Sequence, residues 1–396
     1  MGRAAVAVVG CDSYDPDEVY DAVVKGVGLL GGIDSFVKRG EQITLKPNVL
    51  WGDDPAKCLT THPSVVRAAG LLFRSAGAVL MYGDSPGFGK PESHMKRAGL
   101  KKIASELGME LADFEHGRVV EFPESPFVKR FTIARGALDC DGLVSLPKLK
   151  THGFLRLTGA VKNQFGCIPG MLTHAFHVKI PNPYDFSGML VSLNLLLKPR
   201  LYIMDGIVAM EGNGPRGGKP VKMGFLLLSR DPVALDTVAC RSVGLDPGLL
   251  PTNYIGSRYG LGTSNPDEIE MLGDPIEKYI NSKFDIVREP IRSKQHYKVP
   301  TFLRNMLFPK PVIDRKRCIM CGTCVDVCPV DPKALDWSEG KKVTPPSYKY
   351  KRCIRCFCCQ EICPESAIII KRPSLRRIIR RVRIIRRRLL TTKSQA

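Results

Sequence analysis

Nine cysteines crowd the stretch from Cys318 to Cys363, and eight of them fall in a repeat. The two runs read CIMCGTCVDVCP and CIRCFCCQEICP, each with the spacing C-x2-C-x2-C-x3-C-P. That spacing lets three thiolates on one tight turn hold three irons of a cubane, while the fourth cysteine, on the helix that follows, reaches the neighbouring cubane. Two 4Fe-4S clusters are implied, with ligands crossed between the runs. Cys318, Cys321, Cys324 and Cys363 are assigned to the first cluster, and Cys353, Cys356, Cys359 and Cys328 to the second. Cys358 lies beside Cys359, but only Cys359 keeps the repeat, so Cys358 is read as a spare thiol. Structural zinc takes four ligands in C-x2-C pairs and leaves the third and fourth cysteine of each run without a role. Disulfides within such pairs would close small strained loops.

A second set of residues with binding chemistry lies upstream. Lys46 and Asn48 follow the apolar run ITL, Asp84 and Ser85 follow VLMY, and Lys148, Lys150 and His152 lie in PKLKTH. Lys162 and Asn163 follow in VKNQFG, Asp205 and Glu211 follow LYIM, and Arg230 and Asp231 follow FLLLS. Any one of these has an ordinary structural alternative as a solvated loop residue or a helix cap, and Asp231 before Pro232 reads as an N-cap. Together, Lys46, Asn48, Asp84, Lys148, Lys150, His152, Lys162 and Asn163 form a candidate site for an anionic group, either carboxylate or phosphate. The loop GNGPRGGK has glycines suited to cradling an anion, but it lacks the Gly-Lys-Ser/Thr ending of a phosphate loop and reads equally well as a turn. No G-x-G-x-x-G follows the first strand, so no dinucleotide site is indicated, and no motif indicates a flavin. His174 and His177 lack a third ligand, and His62 before Pro63 reads as part of a helix start.

Alternating strand and helix signals supply the elements that must position these groups. AAVAVVG, QITLKPN and AVLMYGDSPG read as strands, and each is followed by helical periodicity: DPDEVYDAVVKGVGLL, THPSVVRAAGLLFRSAG and a helix HMKRAGLKKIASELG closed by Gly108. Later strands are expected in LDCDGLVSLPKLK, RLYIMDGIVAMEG and MGFLLLS. The fold class is therefore α/β, with a mostly parallel sheet in residues 1–285. Open sheets of this kind bind ligands beyond the carboxyl ends of their strands, which is where the candidate anion site falls. Residues 286–312, basic and punctuated by proline, read as a linker. Residues 313–370 form a small α+β ferredoxin-like unit, and residues 371–396 a basic amphipathic C-terminal helix.

Composition narrows the class further. With 44% hydrophobic and 25% charged residues, the 396-residue chain is globular rather than disordered. No run of about 18 apolar residues marks a membrane span. The apolar stretch Ala4–Val9 is short for a signal sequence and reads as the first strand. Five further cysteines, Cys11, Cys58, Cys140, Cys167 and Cys240, have no framework spacing and suit a reducing cytosol.

The blocks LKPN, TTHP, GDSPG, PKLKTH, VKNQFG, DGIVAMEGNGP and DPVALD, in this order over residues 44–236, resemble the family called domain of unknown function 362. Several of its members carry a bacterial-type ferredoxin unit at the C-terminus. The resemblance implies an α/β domain joined to a two-cluster domain, and it adds no substrate. The expected protein is cytosolic and passes single electrons between its clusters and either an anionic small molecule or a redox partner protein, as an iron-sulfur oxidoreductase. The alternatives are a non-catalytic scaffold that docks a redox partner, and a non-redox enzyme with structural clusters.

Residues 371–396 hold eleven Lys and Arg and no acid, more than half of the net charge of +20. Leu375, Ile378, Ile379, Val382, Ile385 and Leu389 recur at helical spacing, so a helix would carry an apolar stripe among arginines. Such a helix suits peripheral contact with an anionic membrane at its inner face, where each Arg gains about 1 kcal/mol near charged headgroups. Nucleic acid is the weaker partner, because it has no use for the isoleucine stripe and the tail has no aromatics on which bases stack. Co-sedimentation with vesicles tests the assignment. The full chain is expected to bind anionic but not neutral vesicles, and a chain ending at Lys371 to bind neither; equal binding by both chains would remove the tail from the mechanism.

Overall fold

Val6 and Val8 point to one side of the first strand, and Ala7 and Val9 to the other, yet all four are fully buried. A strand apolar on both faces belongs inside a sheet covered on both sides. The computed structural model, which describes residues 3–291, 299–340 and 342–373, shows that sheet. The chain divides into two compact units, Met1–Pro290 and Ile291–Ala396.

The strands of the first unit are β1 (Ala4–Gly10), β2 (Gln42–Pro47), β3 (Val79–Tyr82), β4 (Glu110–Leu111), β5 (Gly117–Glu121) and β6 (Arg130–Ala134). They continue with β7 (Gly142–Leu146), β8 (Lys148–His152), β9 (Arg156–Thr158), β10 (Leu201–Glu211), β11 (Lys219–Ser229) and β12 (Ile269–Gly273). The main sheet runs β12-β1-β11-β10-β7-β2-β3-β4, while β8 pairs with β10 and β9, and β5 pairs with β6 as a separate hairpin. The half from β10 to β4 is parallel throughout. The sheet is mostly parallel, as expected, and mixed only in that β11 is antiparallel to both β1 and β10 and β9 to β8.

One face carries the helices Pro16–Leu29 and Pro63–Ser75, which bury Val19, Val23, Val65 and Phe73 against Ile43, Leu45 and Leu228. The helix Pro232–Ser242 buries Leu235 and Val238 on the other face, against Tyr202 and Leu227. All three helices begin with proline after a side-chain cap, from Asp15, His62 and Asp231 respectively. The proline has no N–H to leave unpaired, and the cap accepts the next free ones. The single helix expected through residues 94–108 is two, Pro91–Arg97 and Leu100–Leu107, because Gly99 between them has φ +74°. A left-handed residue cannot continue an α-helix, and glycine adopts that conformation without steric cost.

In the second unit β13 (Lys310–Ile313) pairs antiparallel with β16 (Ile368–Lys371), and β14 (Leu335–Asp336) with β15 (Ser347–Tyr348). Short helices Thr323–Asp326 and Cys358–Ile362 follow the two cysteine turns. Residues 299–312, expected to lie in a linker, instead contribute the helix Thr301–Leu307 and most of β13. The cause is two buried arginines: Arg304 donates to the carbonyl of Tyr350, and Arg355 donates to Phe308 O at 2.9 Å, to Pro309 O at 2.6 Å and to Asn305 Oδ1 at 2.8 Å. The amphipathic tail expected over residues 371–396 lies, from residue 374 onward, outside the described residues. Among the described residues no helix is long and apolar enough to cross a membrane.

Asp236, inside the first unit, accepts the backbone N–H of Ala160 at 2.6 Å and of Val161 at 3.2 Å, capping the short helix that carries Lys162 and Asn163. Burial outweighs those bonds and pushes its carboxyl up to about 7 from the usual 3.8. A carboxyl that holds its proton more tightly folded than unfolded makes stability fall as pH rises from about 4 to about 7, with no further change above. Urea unfolding at both ends of that window is expected to show the slope in the native chain and a flatter profile in Asp236→Asn. A native midpoint that rises over the window would contradict the assignment.

Candidate functional site

Two cavities in the second unit are ringed by cysteines. The first is lined by Cys318, Cys321, Cys324 and Cys363, with Ile313 and Ile368. The second is lined by Cys328, Cys353, Cys356 and Cys359, with Leu335 and Tyr348. Each cavity thus draws three cysteines from one run and the fourth from the other, and these are the two sets that the repeat spacing pairs. Cys358 is buried and lines neither.

The turns that place the thiolates match position by position. The residue before the second cysteine of each run is left-handed, Met320 at φ +57° and Arg355 at +61°, and so is the residue after it, Gly322 at +87° and Phe357 at +66°. Alternating right- and left-handed residues aim successive backbone N–H groups into one concavity, an arrangement that favours bound anions such as cluster sulfide. Polar groups also reach the cysteine sulfurs. Tyr348 donates its hydroxyl to Cys359 Sγ at 3.3 Å, and Ala367 N donates to Cys363 Sγ at 3.2 Å. Burial, and then the neighbouring cysteines, push the Cys324 thiol up to about 12. A crowded thiol of this kind ionises only when a cation meets it, as iron does. The residues present fit a cubane in each cavity. A bound cluster supplies a site that accepts and releases one electron, and hydrogen bonds to its sulfurs tune the potential.

In the first unit six of the candidate anion-site residues, Lys46, Asn48, Asp84, Lys148, Lys150 and Asn163, meet in a buried polar network. Lys46, at the end of β2, is fully buried and paired with Asp84 at 2.7 Å. Asp84 also accepts Val49 N at 2.8 Å. Asn163 links the strands, accepting from Asn48 Nδ2 at 3.0 Å and donating to Ser145 Oγ at 2.9 Å. Lys150 donates to Asn48 Oδ1 at 2.6 Å and to the Leu59 carbonyl. Lys148, two residues earlier on β8, pairs with Asp205 at 2.7 Å and also donates to Tyr14 OH at 2.7 Å. Tyr14 in turn donates to the second oxygen of Asp205 at 2.9 Å and stacks on His62 with ring centroids 3.6 Å apart. The His62 N–H donates to Asp205 at 2.9 Å. Burial holds His62 down at about 4, and burial followed by Asp205 drives the Tyr14 hydroxyl well up, so both are neutral near pH 7.

The segment 59–62 joins the two halves of this network. Leu59 O receives Lys150, Thr61 Oγ1 receives Asn48 N at 2.9 Å, and the His62 backbone meets Asp205. Gly166 backs the Lys46–Asp84 pair so closely that a Cβ there would lie 1.9 Å from Asp84 Oδ1. His152 Nδ1 accepts from Phe154 N at 3.1 Å and Leu155 N at 3.2 Å, which puts the proton of the neutral ring on Nε2. Lys162 lies over the Phe165 ring at 5.8 Å. Arg216 of the glycine-rich loop pairs with Asp53 at 3.2 Å and lies over Trp51, which ties this loop to residues 51–53. His177 packs among Phe154, Phe165 and Phe186.

The expected concentration of positive charge is corrected in one respect: Lys46 and Lys148 each already have a buried carboxylate. Asp84 is the counter-ion of Lys46. Asp205, Tyr14 and His62 complete the Lys148 cluster, although sequence reading did not assign them to the site. Asp205 stands at a strand end in the sequence, but its pairing with Lys148 spans 57 positions and leaves no local signature.

The chain belongs to the family described as Domain of unknown function (DUF362), whose model matches residues 43–241. Residues 310–364 match the 4Fe-4S dicluster domain, so the chain carries two 4Fe-4S clusters in a domain of the iron-sulfur electron-transfer kind. Thylakoid-associated protein sll1697 of Synechocystis sp. is 34% identical over 289 residues, covering 72% of this chain and 89% of that one. Among solved structures, the lactate racemase apoprotein of Thermoanaerobacterium thermosaccharolyticum aligns with a TM-score of 0.39 and 14% identity, over 60% of this chain and 56% of that one. A structural-genomics target from Thermotoga maritima aligns with a TM-score of 0.35 and 12% identity, over 59% of each chain.

Proposed function

We propose that this chain is an iron-sulfur oxidoreductase in which the dicluster domain carries single electrons and the α/β unit binds the anionic small molecule that receives or supplies them. The observation that carries the reading is the buried network of Lys46, Lys148, Lys150, Asn48 and Asn163, with Lys46 at the carboxyl end of β2 and Asn48 just beyond it, where open α/β sheets hold ligands. Burying three ammoniums is costly in solvation, and donors fixed in a dry site are those that act most strongly on a bound carboxylate or phosphate. Lys150, which donates to Asn48 Oδ1 and the Leu59 carbonyl, is the donor assigned to that anion. The ion pairs of Lys46 and Lys148 favour the second reading, a scaffold that docks a redox partner and performs no chemistry, because a satisfied pair needs no ligand.

The thylakoid association in the Synechocystis relative's name supports the reading that residues 371–396 give this chain a peripheral place at a membrane.

The test is an anaerobic screen of small carboxylates and phosphates against the cluster-loaded protein, read by calorimetry and by ligand-driven reoxidation of the reduced chain. Lys150→Met is the useful variant, since removing Lys46 or Lys148 would strand a buried carboxylate at a cost of about 3–5 kcal/mol. The enzyme reading expects a binding anion whose affinity falls about tenfold or more in Lys150→Met, as loss of one charge-assisted hydrogen bond would produce, with iron content unchanged. No binding anion, with normal clusters, would leave the scaffold.

A further inference from the structure

We propose that the edge of the cluster domain around residues 315–321 docks a small acidic one-electron carrier protein, and that electrons cross there by way of the first cavity. This deepens the electron-transfer reading and rests on it, adding the port and the chemistry of the partner.

The two cysteine rings differ in access. In the second, Cys353, Cys356 and Cys359 are buried, and Tyr348 and Phe357 line the cavity with them. In the first, Cys321 is exposed and Cys318 half-buried, and the side chains between them, Ile319 and Met320, are 60% and 37% exposed. The first ring is therefore the one a partner approaches most closely.

Charge frames that edge. Arg315, Lys316 and Arg317 are consecutive and exposed. Lys342 approaches from another loop, its ammonium 3.6 Å from where a side chain on Gly322 would begin. The acids nearby are fewer: Glu365 lines the cavity, Asp326 is exposed on the following helix, and Asp314 accepts Lys316 N at 3.0 Å. A small apolar centre beside a run of three exposed bases suits a transient redox interface, since charge steers the encounter and a small contact lets the partners part. Two apolar side chains are too few to anchor in lipid, and among Arg315–Cys321 there is no aromatic on which a base would stack. An acidic protein surface matches both features. In the exchange the reduced partner gives up one electron and the chain takes up one, with no proton or bond required.

The experiment uses the full-length, cluster-loaded protein and measures its reduction by flavodoxin hydroquinone, an acidic carrier, and by the small dye methyl viologen radical, in stopped flow. The native chain is expected to react with flavodoxin at a rate that falls at least tenfold from low to high salt, a steering effect of ordinary size. Arg315→Glu with Lys316→Glu should lower that rate by a similar factor at low salt, with iron content and the dye reaction unchanged. A flavodoxin rate indifferent to salt in the native chain, or to the charge reversal in a variant with full iron content, would overturn the docking site. A native rate indifferent to salt overturns the docking site even if the double variant fails to fold, and Arg317→Glu alone then supplies the local charge reversal. Clusters that the dye cannot reduce would instead overturn the electron-transfer reading itself. Vesicle binding lost in the double variant, with unaltered flavodoxin rates, would reassign the patch to a membrane.

Discussion

A thiolate buried in protein has to be met by positive charge, and in the second unit that requirement is shared between two runs of sequence that cannot satisfy it separately. Each run lines one cavity with three cysteines and sends its fourth to the other, so neither ring closes until both turns and both short helices are in place. The apolar core beneath them is small, with Val325, Leu335, Ala367 and Ile368 as its main members outside the cysteines. A unit with so little apolar surface to bury depends on metal ligation for much of its folding free energy. Arg304 and Arg355 then fix the helix Thr301–Leu307 to the same turns through backbone carbonyls, which extends the unit upstream of its first cysteine.

The first unit meets the same problem with the opposite sign. Three ammoniums lie at strand ends under helices and loops, and each is met by a residue from a distant part of the chain. Asp84 follows β3, Asp205 lies within β10, and Asn48 follows β2. Loss of one partner would leave an uncompensated buried charge, so these contacts constrain β2, β3, β8 and β10 relative to one another. The network is thereby both a structural clasp and a rigid array of donors. In the proposed reading those two roles fall to different residues, Lys150 serving a ligand and Lys46 and Lys148 holding the clasp.

Local rules made much of this legible. Cysteine spacing encodes the turn geometry directly, and matched left-handed residues at Met320 and Arg355, and at Gly322 and Phe357, are its backbone expression. Strand runs such as AAVAVVG and helix starts such as Asp231-Pro232 also need only nearby residues, and they appear at the expected places. The misjudged parts depend on distant contacts or on one backbone angle. The helix break at Gly99 follows from a single left-handed residue, and the order in residues 299–312 from arginines whose acceptors are far along the chain. Counter-ions were hidden for the same reason. Lys148 and Asp205 are each ordinary strand-end polar residues until the sheet places them 2.7 Å apart.

Ligation of two cubanes by eight of the nine clustered cysteines is the claim on which the account of the second unit turns, and iron and acid-labile sulfide analysis of anaerobically reconstituted protein tests it most directly, together with low-temperature EPR after reduction. The native chain and Cys358→Ser should each hold about eight irons and eight sulfides, with the broadened signal of two interacting 4Fe-4S centres, while Cys359→Ser loses one centre. A native chain holding zinc or only four irons, or a Cys358→Ser that loses a cluster while Cys359→Ser keeps two, would contradict it.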